Sequence, residues 1–176
     1  MDYITLYYTK CSNAPSHSLL VKSASLYSGI PQECFEISAE YGKKPYFSSH
    51  PNIHFSVSHS GEIWAAAFSC KEVGLDIQFP NCSINHEKIA KRYFHPDEYK
   101  KYIGGEDFYS IWTRKEAVCK LFGFGIDGRF SKINTYANSF DSIPFSVKTV
   151  SPNSSSTLYY SIAFNSDFEY NIIEFN

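Results

Sequence analysis

Apolar and polar residues alternate along several short stretches of the chain, which predicts β-strands. The clearest case is 53–58, where every second residue is apolar, and the apolar run 63–68 follows it after a Ser-Gly turn. A second alternating stretch, 73–78, places the side chains of Asp76 and Gln78 on one face of a strand. Because the connections are short, we expect these three stretches to form an antiparallel meander. The other predicted strands span 3–8, 34–37, 132–136, 145–150 and 158–164.

A spacing of three or four residues between apolar positions predicts helices elsewhere. One helix contains Leu19, Leu20, Ala24 and Leu26 and stops near Gly29. In the second half of the chain, proline and acidic residues mark a helix start, since both suit the first helical turn. The helices predicted there span 84–93, 96–103 and 107–122.

A weak internal similarity suggests two related lobes. The segment 63–69 (IWAAAFS) and the segment 159–165 (YYSIAFN) both follow Ser-rich turns, and 151–156 is the predicted hairpin loop before the second one. The mixture of strands and helices predicts an α/β (α+β) fold. We expect residues 1–80 to form an N-terminal lobe and residues 81–176 a C-terminal lobe.

The composition excludes several classes of protein. A chain of 176 residues with 43% hydrophobic residues can form the core of one domain or of two small lobes. The formal charge of -2 argues against a nucleic-acid binder that uses a broad basic surface. The 5 cysteines include no C-x-x-C pair, which argues against a disulfide scaffold or a zinc knuckle. No apolar run is long enough to span a bilayer, so we expect a cytoplasmic protein in a reducing environment.

Three small groups of polar residues carry candidate chemistry. Each has an ordinary structural explanation when taken alone: a solvated strand end for Asp76 and Gln78, a surface ion pair for Glu116 and Lys120, and a Ser-Gly turn for 58–61. Together they suit magnesium, which binds one or two carboxylates and completes its shell with waters and substrate phosphates. This combination predicts phosphoryl or phosphoester transfer. A P-loop is excluded because the chain has no G-x-x-x-x-G-K-[ST] motif.

Four motifs resemble, in the correct order, those of the 4′-phosphopantetheinyl transferases of the monomeric surfactin-synthetase-activating type. The segment 112–120 (WTRKEAVCK) is similar to the signature W-[ST]-x-K-E-[AS]-x-x-K. The segment 55–78, with FSVSHSG and VGLDIQ, resembles F-N-x-S-H-S-G followed by I-G-[IV]-D-[IV]-E. The segments 89–99 (IAKRYFHPDEY) and 41–45 (YGKKP) are similar to the family's F-x-x-x-E-[YW] and Y-G-K-P elements.

This resemblance, which covers residues 18–126, implies a fold and a reaction. The fold has two similar lobes in a pseudo-twofold arrangement, each a small antiparallel sheet packed with a long helix, with the active site in the cleft between them. The reaction transfers the 4′-phosphopantetheine arm of coenzyme A to a serine of an apo acyl or peptidyl carrier protein of fatty-acid, polyketide or nonribosomal peptide synthesis, and releases 3′,5′-ADP. A monomer is implied, with apolar groups near Phe94 contacting the carrier protein.

The resemblance also implies a role for each motif residue. Asp76, Gln78 and Glu116 are the expected magnesium ligands, and Lys120 is expected at the pyrophosphate of coenzyme A. The expected catalytic residues are Asp76, Glu116 and Lys120, with Glu116 or a metal-bound hydroxide as the base. The residues expected to contact coenzyme A are Tyr41, Gly42, Lys43, Lys44, Ser58, His59, Lys115 and Lys120.

The chain departs from the family motifs at three places. Gln78 stands where the family has a second acid, Phe124 stands where it has a lysine, and 43–44 contains one lysine more than Y-G-K-P. The first two differences leave open an alternative function, a non-catalytic module that binds coenzyme A or a carrier protein.

A thiol hydrolase is a second alternative. It would use Cys70 or Cys119 as the nucleophile and His59 as the base. Cys70 ends a predicted buried strand and Cys119 has apolar neighbours on a predicted helix, and a free cysteine in such a position usually packs as a small apolar group. We therefore favour the transferase.

Overall fold

Helices and short strands alternate along the chain. The computed structural model describes residues 2–10, 14–81, 83–150 and 158–176. In chain order the strands and helices are β1 Asp2–Lys10, α1 Ser16–Ser28, β2 Ile37–Ser38, β3 Tyr46–Phe47, β4 His54–Ser60, β5 Ile63–Ser69, β6 Val73–Gln78, α2 His86–Tyr93, α3 Pro96–Ile103, α4 Phe108–Phe122, β7 Ser139–Phe140, β8 Ile143–Pro144, β9 Ser146–Val150, β10 Tyr159–Phe164 and β11 Phe168–Glu174. This mixture confirms the predicted α/β (α+β) class. Within the described ranges, no helix has both the length and the apolar character needed to cross a membrane.

The longer strands form two sheets. The first sheet has the order β11-β1-β5-β4 and the second has the order β6-β10-β9. Neighbouring strands run antiparallel except β1 and β11, which are parallel. The two segments with similar sequences correspond to β5 and β10, which are interior strands of the first and second sheet. The strand pairs β2-β3 and β7-β8 form two further small sheets.

The predicted three-stranded meander is wrong in its third strand. β4 and β5 pair antiparallel as predicted, but β6 pairs with β10, with Asp76 opposite Ser161. β1 occupies the second edge of β5, so no edge of β5 is left for β6. The short connection after β5 therefore leads into the other sheet.

The strands predicted at 34–37 and 132–136 are also wrong. The first region begins with the 3-10 turn Gln32–Cys34, and only Ile37 lies in a strand. The second region contains the 3-10 turn Phe130–Lys132 followed by a single β-bridge from Asn134. Buried apolar residues such as Ile133 produce a strand-like pattern there without a strand backbone.

Three other predicted strands are confirmed as β1, β9 and β10, whereas β11 was not predicted. β11 is missed because its parallel partner, β1, lies at the other end of the chain, and no local turn announces such a pairing. The predicted hairpin loop 151–156 lies outside the described residues.

The predicted helices are confirmed, and caps fix the ends of α1 and α4. α1 and α4 end at glycines with positive φ angles, 74° at Gly29 and 73° at Gly123. The Asp107 side chain caps α4 by accepting hydrogen bonds from the backbone N–H groups of Tyr109 and Ser110.

The two sheets pack face to face, and each carries one long helix on its other face. Apolar residues of both sheets, including Leu6, Ala67, Leu75 and Ile162, form a shared buried core. α1 packs on the first sheet and α4 on the second. β6 comes before residue 80 and pairs with β10, which comes after it. β11 comes after residue 80 and pairs with β1, which comes before it. Strand pairing therefore joins the two predicted lobes. The two-lobe arrangement and its boundary at residue 80 stay predictions.

α4 lies directly against the backbone of β6 at Gly74. A Cβ atom built on Gly74 would lie 1.9 Å from the carbonyl oxygen of Ala117 and 2.6 Å from the backbone nitrogen of Leu121. Only glycine allows so close an approach of a helix to a strand. The glycine of the VGLDIQ segment is the signal in the sequence for this contact.

Small polar residues continue this contact surface on β10. Ser161 lies opposite Asp76 in the sheet, and its hydroxyl is 2.9 Å from the Thr113 hydroxyl of α4. The helix is therefore seated on the side of the second sheet that carries Asp76. This brings Glu116 and Lys120, which share a face of α4, beside Asp76.

We predict that Gly74→Ala lowers the free energy of unfolding by about 3 kcal/mol, because the added methyl group overlaps helix backbone that cannot rotate away. The control is Gly128→Ala, since a Cβ atom at Gly128 meets no other atom within 4 Å. Urea unfolding followed by circular dichroism measures both variants. Equal midpoints for the two variants would contradict the close packing of α4 on β6.

Candidate active site

A groove lies between β4 and the C-terminal end of α4, beside the loop 42–45. Its volume is about 330 Å³. The residues that line it are Gly42, Lys43, Lys44, Pro45, Phe55, Ser56, Val57, Lys120, Gly123, Phe124 and Gly125. An adjoining cavity of about 280 Å³ shares Lys44, Pro45 and Phe55 with it. Because three of the lining residues are lysines, the groove suits an anionic ligand.

Asp76 is buried next to the groove, with only 2% of its surface exposed. Its Oδ1 atom accepts a hydrogen bond of 2.9 Å from the Ser58 hydroxyl and forms an ion pair of 2.8 Å with the Lys120 ammonium. Its Oδ2 atom is buried and accepts no hydrogen bond from the described part of the chain. A buried carboxylate oxygen in this state favours a cation or a proton as its partner.

Glu116 lies near enough to Asp76 for the charges of the two carboxyl groups to interact. Burial, followed by the negative charge of Asp76, raises the pKa of Glu116 to about 8. The nearby Lys120 and a hydrogen bond from Trp112 act in the opposite direction but are weaker. Glu116 is therefore mostly protonated at neutral pH in the ligand-free protein. The two carboxyl groups that the sequence placed on a strand and a helix do come together.

Lys120 connects this acidic pair to the groove. In addition to its ion pair with Asp76, its ammonium lies 3.4 Å from the carbonyl oxygen of Val57 in β4. One third of the side chain, 33%, remains exposed. Lys120 can therefore meet an anion in the groove while it stays paired with Asp76.

Ser58 and His59 point to opposite sides of β4. The Ser58 hydroxyl is buried and engaged twice, since it donates to Asp76 and accepts a hydrogen bond of 3.2 Å from the backbone N–H of Ile77. The side chain of His59 is exposed at the end of β4. Of the two residues expected to contact the phosphates of coenzyme A, His59 is accessible to a ligand, whereas Ser58 already has other partners.

The loop 41–45 supplies the other two lysines. Lys43 is exposed and forms an ion pair of 2.6 Å with Glu40. Lys44 is held from two sides, by Glu72 at 2.7 Å and by the carbonyl oxygen of Val73 at 2.6 Å. Of the neighbouring motif residues, Gly42 lines the groove, and Tyr41 is fully exposed.

The sequence analysis missed two residues beside the groove, Glu72 and His54. The Nδ1 atom of His54 is 2.9 Å from Glu72, whose other oxygen binds Lys44. Burial alone would raise the pKa of Glu72, but the ion pairs with Lys44 and His54 hold it below its ordinary value. The signal for this cluster in the sequence is Glu72, an acidic residue in the predicted turn after β5. Its partners, Lys44 and His54, are distant along the chain and could not be inferred from it.

Lys115 lies in a buried cluster outside the groove. Its side chain has 0% exposure, and its ammonium contacts Glu98 at 2.6 Å and the carbonyl oxygen of Ile133 at 2.7 Å. Glu98 also accepts hydrogen bonds from Thr135 and from the backbone N–H of His95. The structure therefore does not bring Lys115 to the expected coenzyme A contact. It gives Lys115 a structural role, because adjacent helix positions point in different directions.

Gln78, the third expected metal ligand, follows Asp76 on the same strand face. Its side-chain amide nitrogen donates a hydrogen bond of 2.9 Å to the carbonyl oxygen of Phe79. Among the described residues, no group of three or more His, Cys, Asp or Glu side chains is arranged to hold a metal ion. The candidate carboxylate ligands are thus the pair Asp76 and Glu116, and metal binding by Gln78 stays a prediction.

The structure disfavours Cys119 as the nucleophile of a thiol hydrolase. Burial raises the pKa of the Cys119 thiol to about 12, so it is protonated at neutral pH and is a poor nucleophile. Cys70 is exposed just after β5. No hydrogen bond joins it to His59 in the described ranges.

Comparison with known proteins identifies a family with this set of residues. The sequence model of the 4′-phosphopantetheinyl transferase superfamily matches residues 72–171. A 4′-phosphopantetheinyl transferase of Bacillus subtilis is 37% identical over 93 residues, which cover 49% of this chain and 40% of that protein. Another, from Aneurinibacillus migulanus, is 38% identical over 93 residues, which cover 49% of this chain and 37% of that protein.

A third relative, a 4′-phosphopantetheinyl transferase of a Nostoc species, is 33% identical over 110 residues, which cover 57% of this chain and 46% of that protein. The chain therefore spans less than half of the length of each of these three relatives. The family match includes the candidate residues Asp76, Glu116 and Lys120.

We predict that Glu116→Gln stabilises the ligand-free protein at pH 8 but has little effect near pH 5. The folded protein raises the pKa of Glu116 from 4.5 to about 8, so the folded state binds more protons than the unfolded state between these values. Stability therefore falls as the pH rises through this window, and glutamine removes that loss. The gain at pH 8 should be on the order of 1–3 kcal/mol.

Thermal unfolding of both proteins from pH 5 to pH 8.5 measures this difference. Glu106→Gln serves as the control, since Glu106 belongs to a different region beside Tyr136. A stability difference between wild type and Glu116→Gln that does not change with pH would contradict the close approach of Glu116 and Asp76.

Proposed function

The chain belongs to the 4′-phosphopantetheinyl transferase superfamily, and on this basis we propose that it transfers the 4′-phosphopantetheine arm of coenzyme A to a serine of an apo carrier protein. The other product is 3′,5′-ADP. The observation that carries the proposal is the meeting of Asp76, Glu116 and Lys120 beside a groove lined by lysines. The partners are coenzyme A and an apo acyl or peptidyl carrier protein, and the active form is a monomer.

The lysines of the groove suit the phosphate groups of coenzyme A. Attack on the pyrophosphate increases negative charge on the leaving phosphate, and a fixed ammonium group lowers the barrier by stabilising that charge. Lys120 is in position for this role because it is partly exposed and fixed by Asp76. Lys43 and Lys44, on the opposite wall, would hold the nucleotide end of the molecule.

Magnesium fits the donor set next to Lys120. The buried Oδ2 atom of Asp76 lacks a hydrogen-bond partner among the described residues, and Glu116 is near enough to Asp76 for their charges to interact. Hard oxygen donors of this kind suit magnesium, with waters and phosphate oxygens as the remaining ligands. Asp76 and Glu116 would hold the ion, with Gln78 as a neutral third ligand or replaced by water. When bound, the ion supplies neutralisation of the pyrophosphate charge.

Glu116 is the proposed base for the serine hydroxyl of the carrier protein. A base must be ionised before it accepts a proton, and the pKa of about 8 keeps Glu116 protonated at neutral pH without ligands. Positive charge brought to the acidic pair lowers that pKa. Glu116 therefore becomes a base only once the site is loaded, and this order limits unproductive reaction with water.

The carrier protein is proposed to dock near α3. Phe94 itself is buried and stacks on Phe108 at 5.3 Å between ring centroids, so it is not the contact surface. Ile103, at the end of α3, is 61% exposed and Ile84, ahead of α2, is 36% exposed. Among the described residues of this region, these two are the large apolar side chains with the exposure that a partner needs.

We predict that Lys120→Ala lowers the rate of carrier loading by about 100- to 1000-fold, since the loss of one charge-stabilising donor has this size of effect. The melting temperature should fall as well, because the buried Asp76 loses its ion-pair partner, so the rates are compared at a temperature at which both proteins are folded. The assay incubates an apo carrier protein with coenzyme A and magnesium and measures the mass of the carrier by mass spectrometry.

Lys148→Ala is the matched control. Lys148 is 38% exposed and forms an ion pair of 2.9 Å with Asp167, close to the values for Lys120, but it lies on β9. A wild-type protein that binds coenzyme A without changing the mass of any apo carrier tested would favour the non-catalytic binding module. Equal rates for the two variants would reject the role of Lys120.

A further inference from the structure

Three serines of β4 bind the backbone of β6 in the same way. The hydroxyls of Ser56, Ser58 and Ser60 accept hydrogen bonds from the N–H groups of three alternate residues of the 75–79 segment, at 3.0, 3.2 and 2.9 Å. All three serines are buried, with exposures of 4%, 6% and 8%. The three hydrogen bonds are equivalent in geometry, so differences between these serines must come from their other contacts.

Among the side-chain hydrogen bonds of the described residues, Ser58 is the serine of this set that also contacts Asp76. Its hydroxyl hydrogen is donated to the Oδ1 atom of Asp76 at 2.9 Å. The same oxygen pairs with Lys120 at 2.8 Å. Two donors on Oδ1 fix the rotation of the carboxyl group, and they leave Oδ2 as the oxygen without a hydrogen-bond partner among the described residues.

We propose that Ser58 is a positioning residue that holds the Asp76 carboxyl group through Oδ1, so that Oδ2 is left to bind a divalent cation. This inference rests on the proposed function, in which Asp76 and Glu116 hold magnesium. It replaces the direct phosphate contact expected for Ser58 with an indirect role. Partners that orient a metal-binding carboxylate typically change the metal affinity by 10- to 100-fold when they are removed.

The burial of the hydroxyl supports this role over direct contact with a ligand. A serine hydroxyl has one hydrogen to donate, and Ser58 gives it to Asp76. A phosphate oxygen, which only accepts hydrogen bonds, would have to displace Asp76 from that hydrogen. The hydroxyl oxygen is in turn held by the N–H of Ile77, so Ser58 moves only if the contact between β4 and β6 opens.

The test compares Ser58→Ala with Ser60→Ala in the full chain, without any carrier protein. Both variants lose one buried hydroxyl that accepts a backbone hydrogen bond from the 75–79 segment, but only Ser58→Ala removes a donor from Asp76. Titration calorimetry with magnesium chloride, in the presence of coenzyme A, measures the affinity for the ion. We expect the dissociation constant of magnesium to rise at least about 10-fold in Ser58→Ala. Ser60→Ala should bind magnesium like the wild type, while both variants lose similar thermal stability.

Ser58→Thr is the rescue variant, because threonine keeps the hydroxyl and suits a β-strand. It should restore the magnesium affinity. If Ser58→Ala does not fold, Ser58→Cys replaces it, since a thiol is a weak donor and should also weaken magnesium binding.

Equal magnesium affinity in Ser58→Ala and Ser60→Ala would overturn the proposal, as would wild-type affinity in Ser58→Cys. A wild-type chain that binds no magnesium would overturn it too. A wild type that binds magnesium and coenzyme A but loads no carrier protein rejects only the proposed transfer reaction, because the comparison of the serine variants does not depend on turnover.

Discussion

The contact between β4 and β6 is the interaction on which the rest of the structure depends. Both are edge strands of their sheets, and three serine hydroxyls of β4 satisfy alternate N–H groups in the 75–79 segment that would otherwise be buried without partners. Because side chains separate the two backbones, the strands do not merge into one continuous sheet. The two sheets can instead pack face to face over a shared apolar core, and Asp76 is held where they meet.

α4 adds the second half of the site and is fixed on two sides. On one side Gly74 lets the helix backbone touch β6, and Glu116 and Lys120 reach Asp76. On another side Lys115 forms an ion pair with Glu98 in which both side chains have no exposed surface. Removing one partner of such a pair is strongly destabilising, because the remaining charge stays buried. On the same helix, Lys115 therefore has a structural role, whereas Lys120 is available to a ligand.

The charges around the groove are paired but not fully satisfied. Lys43, Lys44 and Lys120 each have a carboxylate partner, while Asp76 and Glu116, if both were ionised, would have more negative charge than Lys120 neutralises. Burial, together with the charge of Asp76, therefore raises the pKa of Glu116 in the ligand-free protein. An anion with an associated divalent cation complements both groups of charges, because the anion neutralises the lysines and the cation neutralises the carboxylates. Coenzyme A with magnesium matches this pattern, which links the electrostatics of the groove to the proposed reaction.

The sequence by itself determined the elements with a local signal and the residue types of the candidate site. The end of α1 near Gly29, the alternation in β4 and β6, and the motif residues Asp76, Glu116 and Lys120 were all identified from neighbouring residues. The sheet to which β6 belongs, the parallel pairing of β11 with β1, and the cluster of Glu72, His54 and Lys44 were decided only by the tertiary structure. So was the difference between Lys115 and Lys120, which share one motif but differ completely in burial. Periodicity shows which face of a strand or helix is apolar. It does not show which element packs on that face, because this depends on which distant strand pairs with each free sheet edge and on how closely the backbones can approach.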